Sequence, residues 1–161
     1  MIVSLMSACG GTSTTALWSP AKPPVVESAT DPVEPGTRSL PDGRYWGTLT
    51  PSGNAFDLGI ARFGATCEEW AATRGMENGC ANDYAVEEID TPPVAFSDDA
   101  RVSVAALSGP GTNWWIDVAT LQAAVAGDIT DVPEGWSWTP FPFVVTVENG
   151  SVTMAEQHWV P

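Results

Sequence analysis

Basic residues are scarce in this sequence. Six lysines and arginines stand against 20 aspartates and glutamates in 161 residues, and the formal net charge at pH 7 is -14. Lys22 is the single lysine. A surface with this charge repels phosphate backbones and anionic lipid headgroups, so nucleic acid is excluded as a partner.

Histidine is almost absent as well, because His158 is the only one. An enzyme of the Ser-His-Asp or Cys-His type would have to use it, and no nucleophile-elbow motif accompanies it. The phosphate-loop and dinucleotide glycine patterns are missing too, and we expect no cofactor. A secreted hydrolase with a carboxylate pair stays open as the alternative function, since abundant acids place some pair ~5 to 10 Å apart.

Apolar runs are short, and none is long enough to predict a transmembrane helix. The run at the N-terminus ends in Met6-Ser7-Ala8-Cys9. Small residues ahead of a cysteine that receives diacylglycerol are typical of a bacterial lipoprotein signal. The eight residues before Cys9 contain no Lys or Arg, although an export signal starts with a charged region. We therefore expect the true start to lie upstream of Met1; the alternative is an ordinary N-terminus with a free thiol.

Cysteines number three in all. With Cys9 lipidated, Cys67 and Cys80 most simply form a disulfide with each other in an exported protein. Closing a loop of that size stabilises the fold by roughly 3 kcal/mol in the chain-entropy model. A metal site would need more soft ligands than the sequence has, and two free thiols are the other alternative.

Composition divides the chain into three parts. Residues 1–9 form the end of the signal, 10–38 form a disordered tether rich in Pro, Ser and Thr, and 39–161 form one globular domain. Proline blocks regular hydrogen bonding, and the tether has too little apolar surface to offset its ordering entropy.

The globular part is predicted to be mainly β (α+β), a small antiparallel β-barrel or rolled sheet of about five or six strands with two short helices. One helix starts with the capping-box pattern Thr66-Cys67-Glu68-Glu69 and stops at Gly75; the other is capped by Asp117 and stops at Gly127. The predicted strands, from turn residues and alternation, are 43–50, 55–60, 82–87, 101–107, 141–148 and 151–160.

Asn149-Gly150 between two β-rich runs predicts a hairpin with a type I′ turn. The turn places Val147 opposite Val152, Val145 opposite Met154, Phe143 opposite Glu156 and Phe141 opposite His158. Glu156 and His158 then fall on the core face. Either a bulge near the strand end reverses the alternation, or both side chains reach the open end of a barrel and are paired there, Glu156 with Arg44 or Tyr84.

Tryptophan is abundant, with eight residues. Exposed indoles stack on sugar rings, whereas core packing is the competing interpretation. The possible binding residues are Trp114, Trp115, Trp136, Trp138, Glu156 and His158, with Trp159 nearby in the hairpin.

The loop before the hairpin is acidic. Asp128, Asp131 and Glu134 offer the hard oxygen ligands that calcium prefers, although the EF-hand order is absent. A solvated acidic loop is the competing interpretation.

Several short motifs lie along the domain: DGRYWG at 42–47, FD at 56–57, NDY at 82–84, VENGSV at 147–152 and EQ at 156–157. Together they resemble a group of uncharacterised actinobacterial lipoproteins and secreted proteins. The resemblance implies an exported, lipid-anchored domain and supplies no catalytic residues.

The sequence therefore predicts a bacterial surface lipoprotein, held on the outer face of the cell membrane by a lipid on Cys9. Its domain is expected to be non-enzymatic and to bind a small ligand, a cell-wall glycan or a surface protein. A solvent-exposed row of tryptophans would favour this function, and two close carboxylates in a pocket would favour the hydrolase.

Overall fold

The computed structural model describes residues 18–25, 40–52, 55–73, 75, 80, 84–87, 94–109 and 111–161. The predicted signal and the lipidation site at Cys9 lie outside the described residues, as do Asn82 and Asp83. In the part of the chain that is described, no helix is both long and apolar enough to cross a membrane.

The described part of the chain forms eight strands and two helices. The strands are β1 Ser19–Ala21, β2 Gly43–Ser52, β3 Ala55–Phe63, β4 Tyr84–Glu87, β5 Phe96–Ala105, β6 Asn113–Ile116, β7 Phe143–Glu148 and β8 Ser151–Gln157. The helices are α1 Ala65–Thr73 and α2 Val118–Ala126.

All eight strands belong to one sheet, in the order β1-β6-β5-β8-β7-β2-β3-β4. The pairing is antiparallel except between β5 and β8, which run parallel. The outer strands β1 and β4 do not pair with each other in the described part, so the sheet is open. The mainly β class with two helices is confirmed; the expected five or six strands become eight, and barrel closure is not seen.

The two strands that the sequence does not predict, β1 and β6, are very short. β6 has four residues and β1 has three, too few for a clear alternation of apolar and polar positions. β1 also lies inside 10–38, which was predicted as a disordered tether, and it pairs with β6 through Ser19↔Trp115 and Ala21↔Asn113. These three residues therefore pair as a strand within the stretch for which the sequence predicts a tether.

The β7–β8 hairpin has the predicted turn and a bulge. Asn149 and Gly150 have φ angles of 52° and 77°, as a type I′ turn requires. Val147 pairs with Val152 as expected, but the next pair is Thr146↔Met154, so Thr153 is an extra residue on β8. A one-residue bulge exchanges the faces of every later side chain. The bulge alternative is confirmed, at the start of the strand instead of its end.

The bulge places Ala155 and Gln157 on the core face, where both are buried. Tyr45 and Val145 are paired on the same face, and Val102 pairs with Ala155 across the parallel ladder. α2 covers this face of β5 with Leu121 and Ala124, which belong to the same apolar cluster.

Both helices end as predicted, and one starts differently. The Asp117 carboxylate accepts the Thr120 amide at 2.7 Å, and Gly127 closes α2 with φ 76°. α1 begins at Ala65, so Thr66 lies inside its first turn instead of preceding it. The predicted capping box is therefore out of position by two residues, within the usual variation of helix ends.

The disulfide between Cys67 and Cys80 is present, with the two Cα atoms 6.0 Å apart. Cys67 is fully buried in α1, so the bridge fixes the chain beyond the helix to the apolar side of that helix. This prediction is confirmed.

Gln157 joins three separate segments. Its carbonyl oxygen Oε1 accepts the Ala105 amide at 3.0 Å, and its Nε2 donates to the Thr139 and Phe141 carbonyls. Its backbone carbonyl accepts from Asn113 Nδ2 at 2.8 Å. The side chain is 1% exposed, and each buried group left unpaired by its loss would cost ~1 to 3 kcal/mol. β8 is thereby tied to β5, β6 and the segment before β7.

Candidate functional site

A row of five side chains crosses the sheet opposite the core. Pairing between strands aligns Trp115 with Ser103, Ser103 with Glu156, Glu156 with Val144, and Val144 with Trp46. The next row on the same side contains Arg101, Met154, Thr146 and Arg44. We call these two rows, together with His158, the Glu156 face.

Glu156 sits between two arginines on this face. Its carboxylate lies 3.6 Å from the Arg44 guanidinium, and the side chains are 15% and 32% exposed. Burial raises the pKa of Glu156 above its usual range, against the opposing pull of Arg44 and Arg101. Arg44 is one of the two partners that the sequence offered for Glu156, and the structure selects it.

Arg101 also contacts an aromatic ring. Its guanidinium carbon lies 4.0 Å from the centre of the Trp115 ring, which is the geometry of a cation–π pair. Arg101 is exposed and Trp115 is half-buried. Two arginines of a strongly acidic chain thus flank one glutamate, and a tryptophan lies at the edge of the group.

His158 lies at the end of the same face, next to Trp46. The two rings meet edge to face with centres 5.5 Å apart, and the His158 amide donates to the Pro142 carbonyl at 2.8 Å. Burial lowers the pKa of His158 from its usual value. His158 is thus a half-buried ring packed against an indole.

The other tryptophans predicted as binding residues lie largely inside the domain. Trp136 is buried and donates its indole N–H to the Ala105 carbonyl at 3.0 Å. Trp114 and Trp138 are half-buried against the core, and Trp138 stacks on Phe143. Trp159 is half-buried against Phe141. No indole of the eight is fully exposed, so the solvent-exposed row of tryptophans that would favour a binding function does not form, and the core-packing interpretation fits most of them.

The three acidic residues of the loop before β7 lie on the surface. Asp128, Asp131 and Glu134 are exposed. Among the described residues, no three acidic, histidine or cysteine side chains come close enough to hold a metal ion. The interpretation as a solvated loop fits these positions better than the weak calcium candidate.

A shallow groove of about 390 Å³ lies away from the Glu156 face, between the start of β5 and the start of α2. Phe96 and Val118 supply its apolar surface, and Asp98 and Asp117 supply its charge. One of these carboxylates, that of Asp117, already caps α2. The groove therefore holds two carboxylates, of which that of Asp117 has a structural role.

The groups on the Glu156 face can form hydrogen bonds and stacking contacts. The arginines donate hydrogen bonds in a fixed planar arrangement, the carboxylate accepts or donates them according to its protonation, and the indole offers an apolar ring. The charged partners of Glu156 in the described part are arginines, whereas a retaining or inverting hydrolase needs a second carboxylate at a set distance.

Comparison with known proteins gives no match: no protein-family model, no curated protein and no solved structure is similar to the chain.

Arg101 and Ser103 are parts of this face that the sequence reasoning did not select. Both occupy alternate positions of β5, which the predicted strand 101–107 overlaps only over 101–105. Their alternation with Val102 and Val104 is the signal that could have placed them opposite the core. The residues of β8 that lie beside them could not be predicted, because no local sequence pattern encodes the parallel β5–β8 pairing.

The single histidine makes one pKa directly measurable. We expect the His158 imidazole to titrate below the ordinary value of about 6.5 in an NMR titration of the folded chain, because burial disfavours the charged ring. The same shift makes the stability of the fold depend on pH. The stabilisation from the neutral, buried imidazole is fully present above the ordinary pKa and is lost as the pH falls through the lowered pKa.

In concentrated urea, which unfolds the chain, the His158 imidazole should titrate at its ordinary pKa. Glu156→Gln is the matched control, because burial is the cause of the His158 shift and the variant should leave it in place. A folded-state pKa at or above the ordinary value would contradict the buried position.

Proposed function

We propose that the protein is a bacterial surface lipoprotein whose β domain is a non-enzymatic binding module. The lipid is attached to Cys9, and the domain binds a polar ligand, with a cell-wall glycan as the best match, through the Glu156 face. The carrying observation is the grouping of Arg44, Glu156 and Arg101 beside the Trp115 ring on one face of the sheet.

A glycan suits this grouping for chemical reasons. Sugar hydroxyls both donate and accept hydrogen bonds, so they match a site that places guanidinium donors beside a carboxylate. Aromatic rings bind the apolar faces of sugars, and the half-buried Trp115 belongs to this group. Arg101 is exposed and Arg44 and Glu156 are partly exposed, so polar groups are open to such a ligand, whereas Trp46, Ser103 and Val144 of the same face are buried.

Three features support export and anchoring. Small residues precede Cys9, as lipid attachment requires. The Cys67–Cys80 disulfide is typical of proteins that fold in an oxidising compartment. With that pair joined, Cys9 is left as the one cysteine outside a bridge.

Anchoring is tested by expressing the gene from its natural locus and labelling the cells with a fatty acid. We expect the label in the protein and its recovery with membranes, because a lipid chain partitions into the bilayer. Cys9→Ser is the control and should lose the label and appear in the soluble fraction. An unlabelled wild-type protein would disprove the anchor and leave the binding proposal standing.

Ligand binding is tested on the purified chain with soluble peptidoglycan fragments and chitooligosaccharides, followed by NMR of the tryptophan indole groups. We expect shifts at Trp115. Trp115→Ala and Arg101→Ala should each weaken binding by about tenfold or more, or ~1.4 kcal/mol, since each removes a direct contact.

The control for this test is Trp159→Ala, which removes an indole from a different part of the domain and should bind normally. Equal weakening by Trp115→Ala and Trp159→Ala would contradict a specific site. Hydrolysis of a fragment that Glu156→Gln abolishes would support the carboxylate hydrolase instead.

A further inference from the structure

The first described segment, 18–25, lies along the open edge of β6. Three of its residues pair with β6 as strand β1. The Trp18 ring enters the apolar cluster, where it meets Trp136 edge to face at 4.8 Å and Trp114 at 6.4 Å between ring centres. We call the surface formed by the β6 edge, Trp114 and Trp136 the Trp18 notch.

The Trp18 notch is held in shape by the rest of the domain. The indole N–H of Trp136 is bonded to the Ala105 carbonyl at 3.0 Å. β6 is paired with β5 on its other side, and the Asn113 side chain donates to the Gln157 carbonyl. None of these contacts involves 18–25, so the notch has supports of its own besides its contacts with that segment.

The occupant itself is weakly held. Ser19 and Pro20 are exposed, and a proline cannot donate a ladder hydrogen bond. Trp18 is half-buried and Pro24 is buried, and these two residues anchor the segment. The Trp18 indole Nε1 is buried and has no hydrogen-bond partner among the described residues, a cost of ~1 to 3 kcal/mol that opposes binding.

We propose that the Trp18 notch is a docking site for an extended peptide with a tryptophan followed by small residues and proline, and that this chain fills it reversibly with its own residues 18–25. The mode is strand addition to a sheet edge, in which main-chain pairing gives affinity and one side-chain pocket gives specificity. The occupant is argued from the structure, because this segment is seated in the notch.

Chain length allows release without disturbance of the sheet. Fourteen residues, 26–39, separate the docked segment from the chain that leads into β2. A flexible connection of this length, as the sequence predicts for the tether, gives an effective concentration on the order of 1 mM. A segment whose intrinsic Kd is about 0.1 mM, tenfold below that concentration, is docked most of the time and is still released repeatedly.

The distance between the domain and the membrane would depend on docking only under the proposed function, in which Cys9 carries a lipid. Docking itself does not depend on that lipid. If Cys9 carries the lipid, docking leaves residues 10–17 between the lipid and the sheet, a reach of at most ~30 Å at ~3.6 Å per residue. Release adds residues 18–39 and extends the reach to ~100 Å. The notch would then set the distance of the Glu156 face from the membrane.

Hydrogen exchange on the wild-type full chain is the first test. The amides of Ser19 and Ala21 should exchange by local opening, at least tenfold faster than the slowest amides of β7 and β8, which open with the whole domain. Equal exchange of β1 and β7 would show that the segment is an integral part of the core, and would overturn the proposal.

Peptide binding in trans is the second test. An unlabelled peptide of residues 16–27 is added to the ¹⁵N-labelled full chain carrying Trp18→Ala, and the indole signals of Trp114 and Trp136 are followed. We expect saturable binding by this variant, at least tenfold tighter than by the wild type, whose own segment competes. The same peptide with alanine in place of tryptophan should not bind.

Trp159→Ala is the matched control, because it removes an indole outside the notch and should behave as the wild type in both tests. Failure of Trp18→Ala to bind the peptide, or its global unfolding, would overturn the proposal. A wild-type dimer at micromolar concentration that Trp18→Ala dissociates would show that a second copy supplies the segment. Neither test involves Cys9 or a glycan, so their failure leaves the proposed function untouched.

Discussion

At Thr153 the ladders on both sides of β8 change register. On the β7 side one extra residue separates Val152 from Met154. On the β5 side the pairing moves from Phe96↔Val152 to Arg101↔Met154, so four residues of β5 face that one residue of β8. β8 is a central strand of the sheet, and side chains alternate with a period of two. The face of every later residue of β8 is therefore decided there.

Three features of the domain depend on this shift. Ala155 and Gln157 turn toward the core, where Gln157 ties β8 to β5. Glu156 turns toward the arginines, which offset part of the cost of its burial. Without the extra residue, the carboxylate would face the apolar cluster around Val102 and Val145. The core and the Glu156 face are thus two results of one local irregularity.

Local chemistry was predicted well from the sequence. The Asn149-Gly150 turn, the Asp117 cap, the Gly127 stop and the Cys67–Cys80 pair each depend on residues close in sequence. The conflict between turn register and polarity at Glu156 also indicated that the hairpin was irregular, although both explanations stayed open. Polar residues forced onto a core face are a strong signal, because burying an unpaired charge costs far more than a bulge.

Long-range pairing was not predictable in the same way. β6 has only four residues, and β1 is seated by the single ring of Trp18. The tryptophans were selected for their type, and type does not show whether an indole faces water or its neighbours. Most of them pack inward, and Trp115 is distinguished only by the Arg101 guanidinium over its ring. That pair forms between β5 and β6 and leaves no trace in the local pattern of either strand.

The register of β8 against β7 is the central claim, and cross-strand proton contacts measured by NMR test it most directly. We predict contacts between the backbone protons of Thr146 and Met154, and of Val144 and Glu156. Contacts between Val145 and Met154, and between Phe143 and Glu156, would instead show an unbroken hairpin register. That result would return Glu156 to the core face and contradict both the site and the account of the fold.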